Sequence, residues 1–158
     1  MRSFKSGILA LVTLAASGCA WSASPADGLR FEAPAGWRSS PGIMGFMQFW
    51  RPPGDDREVL MLFKSPKPLQ PRDIFSTTEL QDTLKHATVE RRRTIEICGA
   101  QPATYVEARG SGSRGDDRIE MVMTTTGGKS YFAMYLRPLE AAPNSMAQAA
   151  LRELCAKP

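Results

Sequence analysis

Histidine is nearly absent from the 158 residues, with His86 standing alone. A histidine-rich zinc site is thereby excluded, and a Ser-His-Asp triad would have to be built on that one ring. No G-x-S-x-G stretch marks a nucleophile elbow. The glycine-rich Gly110-Ser111-Gly112-Ser113 has neither the lysine of a phosphate-binding loop nor a strong helix after it. Long apolar runs are missing as well. Gly7 to Ala16 (GILALVTLAA) is uncharged and mostly apolar over ten residues, half of the ~20 that a membrane-spanning helix needs. Excess charge is small, at 20 Lys+Arg against 16 Asp+Glu, and cysteine is limited to three.

What is present at the N-terminus is an export pattern. Arg2 and Lys5 precede the apolar run and small residues follow it, the layout of a secretory signal that takes no part in the fold. Ser17-Gly18-Cys19 resembles the end of a bacterial lipobox, although Ala16 stands where leucine is usual. Cys19 is therefore expected to carry lipid and to begin the mature chain, with cleavage after Ala20 as the alternative. The expected organisation is a signal peptide over 1–18, a tether over 19–27 and a single domain over 28–158. A domain of ~130 residues can hold one core but not two ordinary domains.

Three cysteines are an odd number, and an odd thiol in an exported chain needs an explanation. Lipid on Cys19 leaves Cys98 and Cys155 free to form one disulfide, as an oxidising envelope permits; two buried free thiols are the alternative. Strand alternation sets Cys98 opposite Ile95 and Ile97, whereas Cys155 shares a helical stripe with Leu151 that should face the sheet. The bridge then requires either that the terminal helix covers the Cys98 face or that a bend at the strand end redirects the thiol.

Cleavage before Cys19 also removes Arg2 and Lys5, so Lys+Arg falls from 20 to 18 against 16 acids and the net charge from +4 to +2. A nearly neutral domain lacks the clustered charge of a nucleic-acid surface, so no nucleic-acid partner is expected. Arg91-Arg92-Arg93 is the one dense basic cluster and reads as a solvated strand entrance.

Along the chain, Leu29 to Ala33 reads as a first strand. Phe46 to Arg51 and Glu58 to Lys64 form a hairpin whose strands are apolar on both alternating sets, so both faces of the sheet should be covered. Ser76-Thr77-Thr78-Glu79 has the form of a capping box and predicts a helix to about His86 or Ala87. Thr94 to Cys98 and Thr104 to Arg109 are two further strands. Ile119 to Thr125 and Ser130 to Arg137 flank Gly127-Gly128, a pair suited to a type I′ turn. Pairing Thr126 with Lys129 then sets Met123 opposite Phe132, Met121 opposite Met134 and Ile119 opposite Leu136. Asn144-Ser145 caps a last helix through about Ala156. Strands joined by short turns, with segregated helices, define an α+β class: an antiparallel sheet of about six or seven strands flanked by two main helices.

The acidic pairs Asp55-Asp56 and Asp116-Asp117 each follow a glycine and precede an arginine. They read as turn acids neutralised by Arg57 and Arg118, since no calcium-loop spacing surrounds them. No catalytic residue, metal ligand or cofactor is expected. Aromatic residues and methionines gather in the first half and are read first as core, since apolar residues in strands are usually buried; if a groove exists, Trp37, Phe46 and Trp50 are the first candidates for it.

The strand order, with the opening "RFEAPAGW", the hairpin from "FWRPP" into "EVLMLF" and the late "YFAMYLRP" strand before an amphipathic helix, resembles the PsbP-like superfamily, which includes exported bacterial proteins and lipoproteins. The likeness covers roughly residues 28–157. It implies an antiparallel sheet flanked by helices and a history of binding roles, and it carries no catalytic motif to this chain. The resulting expectation is a non-catalytic binding or assembly accessory of the cell envelope. Its partners would be the membrane, through the N-terminal lipid, and a protein or small-molecule ligand. The expected place is the periplasmic side, as an outer-membrane lipoprotein, with a soluble periplasmic or secreted form as the alternative. An envelope enzyme using acidic residues and a purely structural envelope protein are the rival classes.

Overall fold

The computed structural model describes residues 28–42, 46–76, 85–112 and 115–156. The signal, the tether and Cys19 lie outside the described residues, as does the stretch 77–84. The strands are β1 (Leu29–Arg30), β2 (Arg38–Pro41), β3 (Phe46–Arg51), β4 (Val59–Ser65), β5 (Lys85–Ile97), β6 (Gln101–Gly112), β7 (Gly115–Thr126), β8 (Lys129–Pro138) and β9 (Cys155–Ala156). The helices are α1 (Pro71–Ser76) and α2 (Ser145–Arg152). Seven strands form one antiparallel sheet in the order β2-β3-β4-β8-β7-β6-β5, and β1 pairs with β9 apart from it. The α+β expectation holds.

The β7-β8 hairpin has the predicted register, with Met123 opposite Phe132, Met121 opposite Met134 and Ile119 opposite Leu136. Gly127 and Gly128 both take positive φ, 55° and 72°, as a type I′ turn demands. Because side chains alternate across a strand, this register sorts the apolar residues into two cores. One, on the α2 side, holds Leu60, Leu62, Val122, Ala133 and Leu151. The other, against α1, holds Met61, Ile74, Met121, Phe132 and Met134. Phe63 stacks on Phe132 there at 4.5 Å between ring centroids. Truncating a fully buried phenylalanine such as Phe132 costs roughly 3–5 kcal/mol.

Among the described residues the first helix is α1, just ahead of the expected one, most of which falls on 77–84, outside the described residues. α1 begins at Pro71, where a missing N–H and a fixed φ suit the first helical position, and Asp73 Oδ2 accepts from the Gln70 N–H at 2.8 Å. It ends at Ser76, and from Lys85 the chain is strand. The helix expected to reach His86 or Ala87 is therefore corrected at 85–87, where the backbone belongs to β5. This strand also extends well before the expected Thr94. Its exposed residues 88–94 have no buried face to print an alternation on the sequence.

The second helix is capped as expected: the Asn144 side chain accepts from the backbone N–H of Met146 at 3.0 Å and of Ala147 at 3.4 Å. It stops at Arg152 rather than Ala156, because Cys155 and Ala156 pair with Arg30 and Leu29. The disulfide Cys98–Cys155 is present, with a Cα–Cα distance of 5.2 Å. Ile95 and Ile97 do pack on the α2 side, so alternation alone would point Cys98 away from its partner. A bend resolves this: β5 ends at Ile97, Cys98 takes φ 53°, and the Ala100 N–H closes the turn on the Ile97 carbonyl at 3.2 Å.

Candidate functional site

On the α2 side, alternation brings forward Tyr105, Glu107 and Arg109 of β6, Arg118 and Glu120 of β7, and Tyr135 and Arg137 of β8. The register aligns them in rows across the strands. Arg109, Arg118 and Arg137 form one row, and Glu107, Glu120 and Tyr135 the next. Like charges directly opposite each other are destabilising, so each row needs counter-ions, and the structure supplies them. Glu90 bridges the first row, at 3.2 Å from Arg109 and in direct contact with Arg118. Arg91 stands 3.7 Å from Glu107, and Arg137 the same distance from Glu120.

Glu120 is the centre of this arrangement. Its side chain is 5% exposed, an environment in which a lone carboxylate would be costly. The Tyr105 hydroxyl donates to Oε2 at 2.7 Å, and Gln148 Nε2 reaches both oxygens at 3.1 and 2.9 Å. Gln148 sits on α2, so the carboxylate ties the helix to the middle of the sheet. Arg137 also donates to the Ala141 carbonyl in the loop before the helix. Burial, with the Glu120 hydrogen bond second, pushes the Tyr105 hydroxyl far above its usual range, so Tyr105 stays a donor at physiological pH.

A second polar group lies beside it. Glu58 interacts with Tyr135 and Asn144, and burial raises its carboxyl above the ordinary range. The Tyr135 hydroxyl accepts from the Asn144 N–H at 3.2 Å and is itself pushed up to about 12, chiefly by burial. Glu58 Oε2 and Arg137 Nε are buried without a hydrogen-bond partner.

Between these rows and α2 lies an open cleft of ≈ 280 Å³ lined by Tyr105, Glu107, Arg118, Glu120, Arg137 and Gln148. Its charges are paired within the fold. Among the described residues no group of three His, Cys, Asp or Glu is placed to hold a metal ion. No helix among them is long and apolar enough to cross a membrane.

The three aromatic candidates for a groove are placed elsewhere. Trp37 and Trp50 are buried in the α2-side core, Phe46 is buried in the opposite one, and the sheet separates them. Trp50 packs on Phe31 at 5.1 Å and Phe46 on Phe63 at 5.3 Å between centroids. Trp37, Phe46 and Trp50 therefore have the core role rather than forming a groove, and the register shift in β3 between Phe46 and Gln48 is what puts Phe46 and Trp50 on opposite faces of the sheet. Among the turn acids, Asp55 accepts from the backbone of Arg57, Asp56 pairs with Arg38 at 3.1 Å, and Asp116 accepts from Ser111 at 2.6 Å. Arg118 pairs with Glu90. The signal for the true cluster was Glu120, a single acid within the apolar run Ile119–Met123 of β7.

A seven-stranded antiparallel sheet with a helix packed on each face, its last helix stapled beside the sheet, is a PsbP-like α+β fold. The chain is similar to the solution structure of cyanobacterial PsbP (CyanoP) from Synechocystis sp. PCC 6803, with a TM-score of 0.67 and 16% identity over 92% of this chain and 98% of that one. A Bacteroides thetaiotaomicron VPI-5482 protein is similar at a TM-score of 0.56 and 14% identity, over 85% of this chain and 47% of its own length. No protein-family model and no curated protein matches the chain.

Proposed function

We propose that this chain is a non-catalytic accessory protein of the cell envelope that binds a protein or small-molecule ligand at the charged strand face beside α2. The observation that carries this reading is the pair of aligned rows, arginine then glutamate, each neutralised within the fold and open to solvent at the cleft. Such pre-arranged charge favours specific and fast docking of a complementary surface. The Cys98–Cys155 bridge supports an oxidising compartment, and the PsbP-like fold accommodates an accessory role. Lipid on Cys19, with outer-membrane placement, completes the proposal. An enzyme reading would rest on Glu107 and Glu120, and it is less well supported because both carboxylates already hold cations.

Site-specific photo-crosslinking in intact envelopes tests the proposal. A crosslinker at Arg109, on the charged face, should give a reproducible adduct, while one at the exposed Gln70 on the other side should not. Equal labelling at both positions, or none at either, overturns the reading.

A further inference from the structure

The two edges of the sheet are unlike. β2 is four residues long and ends in Pro41, two ordinary devices that blunt an edge against pairing. β5 has 13 residues, and no strand among the described residues pairs with its outer side. Its irregularities are confined to the first half, between Lys85 and Thr88 and between Val89 and Arg91. From Arg91 to Ile97 it runs opposite Glu107 to Gln101 in unbroken register. Seven residues at ~3.3 Å each give ~23 Å of regular edge. Every second residue there turns its N–H and C=O outward.

The side chains of that stretch select what can add to it. Arg91 and Arg93 lie on the α2 side, Arg91 beside Glu107 and Arg93 over the Tyr105 ring at 4.6 Å. Arg92, opposite Val106, points to the other side. An added strand therefore meets guanidinium groups on both of its faces. A second copy of β5 centred on the triplet would set Arg91 against Arg93 and Arg92 against itself, which like-charge repulsion disfavours. An acidic strand meets the same groups favourably, so one feature both rejects the self-pairing that open edges invite and attracts a complementary chain.

We infer that residues 91–97 of β5 are a strand-addition site for an extended acidic segment of a partner protein. This names the partner chemistry for the charged face and so rests on the proposed binding role. Backbone hydrogen bonds supply the affinity in this mode, and the side chains supply the choice of partner.

The test uses the oxidised domain with the labelled peptide Ac-EVEVEVE-amide, read by fluorescence anisotropy and by amide hydrogen exchange. The peptide should bind, slow exchange within 91–97, and lose binding when alternate backbone nitrogens are methylated at unchanged charge. The peptide's glutamates share one face, so either Arg92→Glu or the paired change Arg91→Glu with Arg93→Glu, on the opposite face, should weaken binding about tenfold, the factor for exposed ion pairs replaced by like-charge contacts. Equal binding of the methylated peptide or of Ac-KVKVKVK-amide overturns strand addition, as does an absence of binding. Protection of 91–97 that depends on protein concentration alone would assign the edge to a second copy. Binding to anionic vesicles but not to peptide would assign it to lipid. If the Arg109 crosslink persists in Arg92→Glu while the peptide fails, the accessory reading stands and this inference falls.

Discussion

Replacing Cys98 and Cys155 together by alanine opens a covalent loop with a sequence separation of 57. With that loop length, chain entropy at 25 °C gives a stabilisation of about 4 kcal/mol from the bridge. The bridge acts mainly on the unfolded chain, so two effects should separate. The midpoint of unfolding falls, by on the order of 10 to 20 °C in a thermal scan of a domain this size. The denaturant m-value rises, because the unbridged chain exposes more surface when unfolded. Trp37 and Trp50 are both buried, so their fluorescence reports global unfolding in urea. The oxidised wild type, the reduced wild type and the double variant are compared. The reduced protein should lie slightly above the variant in stability, since Cys98 is exposed but Cys155 is buried and loses its sulfur on truncation to alanine. A double variant within about 0.5 kcal/mol of the oxidised wild type would refute the loop-entropy reasoning. Freely alkylated thiols in protein isolated from the envelope without reductant would refute the bridge itself.

Glu120→Ala leaves Arg137 with a buried and uncompensated charge, so urea unfolding should show a loss of about 3–5 kcal/mol; the additional change Arg137→Met should recover part of it. Glu58 holds its proton in the folded state at pH values where the unfolded chain has released it, because burial raises its carboxyl above 4.5. The stability of the wild type relative to Glu58→Gln is therefore greatest below the unfolded value and falls as pH rises through the raised one, which paired urea titrations between pH 4 and 7 would detect. Gly128→Ala places a Cβ at φ 72° and should cost about 1–2 kcal/mol by thermal unfolding. Cys19→Ala should move the protein from the membrane to the soluble fraction; wild type already soluble, with Trp21 at its N-terminus, would show ordinary cleavage instead.

The β7-β8 register was legible because two independent signals agreed: a Gly-Gly turn that admits only one loop geometry, and an alternation that a one-residue slip would destroy. The Asn144 cap was legible for a similar local reason. β5 was not. Its exposed half, Thr88 to Thr94, is held by hairpin pairing with β6, the next strand, and backbone pairing leaves no periodic mark on exposed Arg91-Arg92-Arg93. The helix predicted from the capping box at Ser76 falls mostly on 77–84, outside the described residues, and is corrected only at 85–87. The cleft was hidden because its residues come from four elements. Tyr105, Glu120, Arg137 and Gln148 carry no shared spacing, and only the sheet register brings them to Glu120.

The disulfide and the β1-β9 pair meet at one corner of the domain, since Cys155 pairs with Arg30 across the small sheet and bonds to Cys98 at the end of β5. The described domain begins at Gly28, beside that corner. With lipid on Cys19, eight residues would separate the anchor from Gly28, nine steps with a reach of at most ~30 Å for an extended chain. The corner therefore stays near the membrane surface, and the β5 edge starts from it at Ile97. Arg92 lies five residues back, ~17 Å along the strand, within the zone an anchored domain sweeps. If Cys19 carries lipid, a connection of this length would keep the arginine-bearing edge near the membrane. Shortening residues 20–27 should thus impair partner capture in envelopes without changing peptide binding by the purified domain, whereas a parallel loss of both would show that the tether belongs to the binding surface itself.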